Sequence, residues 1–146
     1  MKKLIVALVA GSALLLVAVA MASTYKVKAT LTPGADVPTP KGAAHAKGSF
    51  VGSYVENKKG GAVLKATLTF SGLTGQAMQA HIHTGKRGVS GNVIVALCGP
   101  CTSGKTGTYK ISKAVVEALE SGNTYVNLHT AKNPSGEIRG QIKVTG

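Results

Sequence analysis

The sequence predicts an all-β fold, an antiparallel sandwich or barrel with one short crossover helix. Three observations predict it. Past residue 23, apolar and polar residues alternate with a period of two in most segments, as half-buried strands require. These segments are separated by Pro-Gly, Gly-Gly and Asn-Pro-Ser-Gly turn clusters. Helical spacing is confined to one stretch, residues 112–120.

In chain order, residues 24–32 set Tyr25, Val27, Ala29 and Leu31 against Lys26, Lys28 and Thr30, a half-exposed strand that stops at Pro33-Gly34. Residues 35–47 hold two prolines and Gly42 and read as loop. Residues 48–55 and 62–70 form a hairpin around Asn57-Lys58-Lys59-Gly60-Gly61, whose paired glycines suit positive φ. The second of these strands turns Leu64, Ala66, Leu68 and Phe70 to the core. In His81-Ile82-His83, residues two apart share a face, so both imidazoles project together while Ile82, Ala80 and Met78 face the core. A glycine-rich loop runs to Gly91, and residues 93–97 are a short apolar strand. Ser112 caps the helix, which buries Val115, Val116 and Leu119 and stops at Gly122. Tyr125, Asn127 and His129 then share one face and Val126 and Leu128 the other. Beyond the Asn133-Pro134-Ser135-Gly136 turn, Glu137, Arg139, Gln141 and Lys143 alternate with Ile138, Gly140, Ile142 and Val144 as one strand.

The N-terminus has the form of a secretory signal peptide. Met1-Lys2-Lys3 precedes an apolar run over residues 4–19, and Ala20-Met21-Ala22 supplies small residues for cleavage after Ala22. An uncleaved anchor is the alternative, since ~17 to 25 apolar residues span a bilayer. This expectation divides the chain into a signal peptide, residues 1–22, and a single domain, residues 23–146. It places the protein outside the cytoplasm, secreted or periplasmic and associated with the cell envelope, with membrane contact only through an uncleaved leader. The chain carries 17 Lys+Arg against 5 Asp+Glu, a formal charge of +12. Loss of Lys2 and Lys3 leaves about +10. A single core is feasible for a domain of this length without staples. Such a charge draws the protein to extracellular polyanions or a cell-wall polymer, with an affinity that salt screens. The lysines are spread along the chain and read as a solvated face more than a docking stripe. Specific nucleic-acid recognition is not supported, because aromatics make up 4% of the chain and no basic motif interleaves them. The sequence sets no oligomeric state.

Several chemistries are excluded. Five acidic residues, none paired at useful spacing, and no nucleophile-elbow serine leave no hydrolase. Gly104-Lys105-Thr106 lacks the spacing and context of a phosphate-binding loop. Cys98-Gly99-Pro100-Cys101 matches the redox motif of thioredoxin, but that activity needs the first thiol at a helix N-terminus. Thr-Ser-Gly-Lys-Thr-Gly-Thr follows instead, so a structural disulfide is expected between Cys98 and Cys101.

The remaining candidates are His81, His83 and His129. A His-x-His pair with a third imidazole from a neighbouring strand is a workable three-nitrogen site for copper or zinc. The competing expectation is a polar cluster that pins strands, in which Asn127 or Glu137 accepts from an imidazole and Arg139 pairs with Glu137 or a backbone carbonyl. His45, in a loop, is expected to be an exposed bystander.

Asn127-Leu128-His129-Thr130, Asn133-Pro134-Ser135-Gly136-Glu137-Ile138-Arg139-Gly140 and His81-Ile82-His83, with the looser Leu31-Thr-Pro-Gly-Ala-Asp-Val-Pro38 and Phe70-Ser-Gly-Leu-Thr-Gly75, resemble the CHRD domain, the chordin-type module of exported bacterial proteins. The resemblance runs from about Tyr25 to the C-terminus. Thr84 stands where the family commonly has glycine. The resemblance implies an extracellular, immunoglobulin-like all-β fold with no established catalytic role. Copper/zinc superoxide dismutases also combine a His-x-His strand with later His and Arg residues on a β-barrel, so a superoxide-dismutase-like site at His81, His83 and His129 is the analogous alternative. The zinc ligands of that enzyme have no clear counterpart here.

Overall fold

The computed structural model describes residues 22–146. The expected signal peptide lies outside them except for Ala22. Among the described residues no helix is long and apolar enough to cross a membrane.

Among the described residues, nine strands form two antiparallel sheets packed as a sandwich. β1 (Thr24–Leu31), β2 (Lys47–Glu56), β3 (Ala62–Ser71), β6 (Thr106–Ile111) and β9 (Lys143–Thr145) make a five-stranded sheet in the order β6-β3-β2-β1-β9. β4 (Ala77–Thr84), β5 (Val93–Cys98), β7 (Thr124–Thr130) and β8 (Ile138–Gln141) make a four-stranded sheet in the order β5-β4-β7-β8. The sandwich is open at its edges, and the barrel alternative is not what forms. The inner faces meet in one core that includes Val27, Leu31, Phe50, Leu64, Ile82, Val126, Leu128 and Ile138. Each such side chain contributes roughly 1.5 to 3 kcal/mol by leaving water.

Helix α1 (Lys113–Glu120) carries the chain from β6 in one sheet to β7 in the other. The Ser112 side chain accepts from the amide of Val115, and Val116 and Leu119 are the buried residues. Gly122 follows with φ +73°, the left-handed stop expected after the last turn.

Three local readings change. Met78 is 45% exposed rather than packed with Ala80 and Ile82, because the pairing of β4 with β7 slips between Ala77 and Gln79, and the extra residue is pushed out of the alternation. The expected single C-terminal strand breaks at Ile142. Its first part, β8, pairs with β7, and its second part, β9, crosses to pair with β1. β6 was not visible in the sequence. Gly107 interrupts its alternation, and Ile111 is its only buried apolar residue.

One further feature positions the site. The loop over residues 32–46 and the β4–β5 loop close over the outer face of the four-stranded sheet. Ser90 Oγ donates to the carbonyl of Val37 at 3.2 Å, and the Lys41 amide donates to Asn133 Oδ1 at 2.7 Å. Both faces of β7 are therefore buried, unlike an ordinary half-exposed strand.

Candidate metal centre

β4 and β7 pair antiparallel, with His81 opposite Asn127, His83 opposite Tyr125 and His129 opposite Gln79. All six therefore rise from the outer face, since the intervening Ile82, Val126 and Leu128 are 0% exposed in the core. This register brings the three imidazoles together. Ring centroids are 5.1 Å apart for His81 and His129, 5.6 Å for His81 and His83, and 6.0 Å for His83 and His129. One nitrogen from each ring lies within 4.8 Å of the others.

Two backbone carbonyls fix which nitrogens are free. His83 Nδ1 is 3.0 Å from the carbonyl oxygen of Gly91, and His129 Nδ1 is 3.0 Å from that of Pro134. A carbonyl can only accept, so each Nδ1 carries the proton and each Nε2 carries a lone pair. The Asn-Pro-Ser-Gly turn thus places the carbonyl that orients His129. His129 Nε2 faces His81 Nδ1 at 3.3 Å. His83 Nε2 is buried and, among the described residues, has no hydrogen-bond partner.

Burial lowers the pKa of all three rings, and for His129 the value falls to about 4. The neighbouring imidazoles push His129 further in the same direction, against the opposing effect of its bond to Pro134. The rings are therefore neutral at pH 7, the form in which imidazole binds a metal. Backbone carbonyls holding the distal Nδ1–H groups are the usual outer support of metal-bound histidines. His81, alone of the three, also lines an open cleft with Met78, Gln79 and the Cys98-Gly99-Pro100 segment. His45 is exposed and stands apart from the triad.

The other candidates assemble differently from the expected single network. Among the described residues no imidazole is bonded to Asn127 or Glu137: carbonyls take the Nδ1–H groups of His83 and His129, and His81 Nδ1 faces His129 Nε2. Glu137 is 0% exposed and accepts from the Thr74 amide, the hydroxyls of Thr74 and Thr130, and Asn133 Nδ2. Burial alone would raise its pKa, but these donors outweigh burial and lower it. Arg139 is 1% exposed and donates through Nη2 to the carbonyls of Lys86 at 2.9 Å and Val89 at 2.8 Å. Its guanidinium carbon sits 3.3 Å from the centroid of Tyr125, whose ring also stacks on His83 at 4.9 Å. Of its two expected partners, Arg139 takes backbone carbonyls rather than Glu137.

Sequence reasoning missed Asp36, Thr74 and Tyr125 as site residues. Asp36 is 4% exposed and accepts from Asn127 Nδ2, while burial raises its pKa to about 6. A lone acid in a Pro- and Gly-rich loop was the available signal. Gly136 adopts φ +138°, and a side chain there would run into Asp36 and Asn127, so the turn requires glycine. Cys98, the last residue of β5, and Cys101, in the loop that follows, meet at a bonded Sγ–Sγ distance of 2.02 Å. The next helix begins only at Lys113, so neither sulfur caps a helix.

No curated protein and no solved structure matches the chain. The family model for the CHRD domain matches residues 27–142, from within β1 to just past β8, and includes His81, His83, His129, Glu137 and Arg139. CHRD is an extracellular-type family and not a known enzyme family. The chain belongs to the CHRD domain family.

Proposed function

We propose that this chain is an exported, non-catalytic binding module that holds one copper or zinc ion through His81, His83 and His129. The observation that carries the reading is the buried lone pair of His83 Nε2, which has no partner among the described residues. An unpaired buried nitrogen costs free energy, and a bound ion removes that cost. His129 Nε2 and, in its Nε2–H tautomer, His81 Nδ1 complete a set of three neutral nitrogens. Such a set suits copper and zinc, and binds copper(II) more tightly than zinc by the general order of divalent affinities. The protein residues hold and orient the rings: Gly91 and Pro134 fix two tautomers, Tyr125 backs His83, and Arg139 ties the β4–β5 loop over Tyr125. Export rests on the leader-like residues 1–22 and on the extracellular character of the family.

A second reading has its own observation. The His81–His129 contact at 3.3 Å joins β4 to β7, as a purely structural hydrogen bond would. Metal content of the purified protein and of His83→Ala separates the two. The metal reading predicts copper or zinc near one per chain, lost in the variant with a modest fall in melting temperature. Absence of metal from the protein after exposure to both ions, with a large destabilisation in His83→Ala, would leave only the structural reading.

A further inference from the structure

The lysines that look scattered along the chain are gathered by the strand register. On the outer face of the five-stranded sheet, one row crosses all five strands: Thr145 opposite Lys26, Lys26 opposite Ser53, Ser53 opposite Lys65, Lys65 opposite Thr108. All but half-buried Ser53 are exposed. Hydroxyl and ammonium groups alternate along it. Neighbouring strands lie about 4.8 Å apart, so Lys26 and Lys65 carry charges about 10 Å apart with a hydroxyl between them.

The adjacent row places Lys28 directly opposite Lys143. Like charges in that position repel, so the pair weakens the sheet unless an anion lies over it. A concavity of about 550 Å³ lies at the edge where this row meets β8 of the other sheet, and Lys28, Lys143, Thr30 and Ser49 of the five-stranded sheet line it together with Arg87 and Arg139. No carboxylate offsets these cations. The chain's five acids are Asp36 and Glu137 on the far side of the sandwich, Glu117 and Glu120 on α1, and Glu56 at the end of β2. Glu56 follows the inward-facing Tyr54 by two residues and therefore leaves the core side of the strand.

We propose that this face is a docking surface for an acidic polysaccharide that carries a carboxylate on alternate sugars. A sugar in an extended β-linked chain advances by about one strand spacing, so successive sugars meet successive strands. Carboxylates then fall on Lys26 and Lys65, and sugar hydroxyls fall on Thr145, Ser53 and Thr108. The face carries no aromatic residue on which nucleobases could stack. It also lacks the large apolar side chains that insert into a lipid interface. Its exposed apolar residues are Val51, Val55 and Val63, small pads suited to the C–H faces of sugar rings.

The test is binding of the protein to hyaluronan, which has one carboxylate per disaccharide, at about 0.15 M salt. The triple variant Lys26→Gln/Lys28→Gln/Lys65→Gln is compared with Lys41→Gln/Lys58→Gln/Lys132→Gln, which removes the same charge from exposed positions elsewhere. We expect binding to weaken about tenfold in the first and by no more than about twofold in the second, with the melting temperature lowered in neither. Equal weakening in the two variants would show attraction by net charge alone and overturn the proposal. So would failure of the parent protein to bind hyaluronan, or tighter binding to duplex DNA or to phosphatidylglycerol vesicles than to hyaluronan.

Discussion

On the outside of the four-stranded sheet, Tyr125, Asn127 and Arg139 are 2%, 3% and 1% exposed, and the histidines between them are neutral. On the outside of the five-stranded sheet, Lys26, Lys28, Lys65 and Lys143 stand exposed to solvent. Both sets occupy the outward positions of the same two-residue alternation. The difference lies in what covers them. Residues 32–46 and the β4–β5 loop fold across one sheet and leave the other bare, so polar groups under the cover must find partners while those on the bare face keep water. One face is thus covered and desolvated, and the other is an open, charged surface.

The largest effect expected from this contrast is at Glu137. Glu137→Leu removes a buried carboxylate that accepts from the Thr74 amide and from the Thr74, Thr130 and Asn133 side chains, and we expect a loss of about 4 kcal/mol in denaturant unfolding. A loss below about 1 kcal/mol would mean that the cover is not closed in solution. Next comes the metal. Copper(II) at a hundredfold excess over its dissociation constant adds about 2.7 kcal/mol to stability through binding to the folded state alone. That gain, read as a rise in melting temperature, disappears in His83→Ala.

A smaller effect concerns acid. His129 titrates near 4 in the fold against 6.5 in the unfolded chain, so the unfolded state binds the extra proton between these values. Its stabilising contribution is whole above pH 6.5 and is lost as pH falls toward 4. Asp36 acts oppositely, with a folded value of about 6 against 3.8, so its contribution grows as pH falls through the same window. The two partly cancel. Asp36→Asn keeps the oxygen that accepts from Val37 and Asn127 but removes the titration, so unfolding measured from pH 7 to pH 4 is expected to show a steeper acid loss in the variant. A shallower slope would contradict the assigned directions. The smallest effect is on the bare face, where Lys65→Gln is expected to change stability by no more than about 0.5 kcal/mol.

Much of this was legible in the sequence, and the rest was hidden for physical reasons. The β2–β3 hairpin, the paired faces of His81-Ile82-His83 and the helix cap at Ser112 are local features, and local alternation or turn chemistry reveals them. The meeting of His129 with His81 and His83 depends on β7 lying beside β4, which the matching polar faces suggested but did not specify. Cover cannot be read from alternation. Arg139 and Asn127 were expected in a polar cluster that pins strands, and residues 35–47 around Asp36 read only as loop; neither pattern shows that this loop closes over the sheet. The break at Ile142 escaped notice because the alternation continues unchanged while the strand changes sheets. Met78 was misplaced because a bulge leaves no mark in the pattern of apolar residues. The lysine row was invisible for the opposite reason: its members come from strands far apart in sequence, and only the register aligns them.

The most direct test of the account is the electron paramagnetic resonance spectrum of copper(II) bound to the purified protein at pH 7. Hyperfine coupling to three imidazole nitrogens, with the bound-copper signal lost in His83→Ala, is the predicted result. A spectrum without nitrogen coupling, or one unchanged by that substitution, would contradict a centre built from His81, His83 and His129.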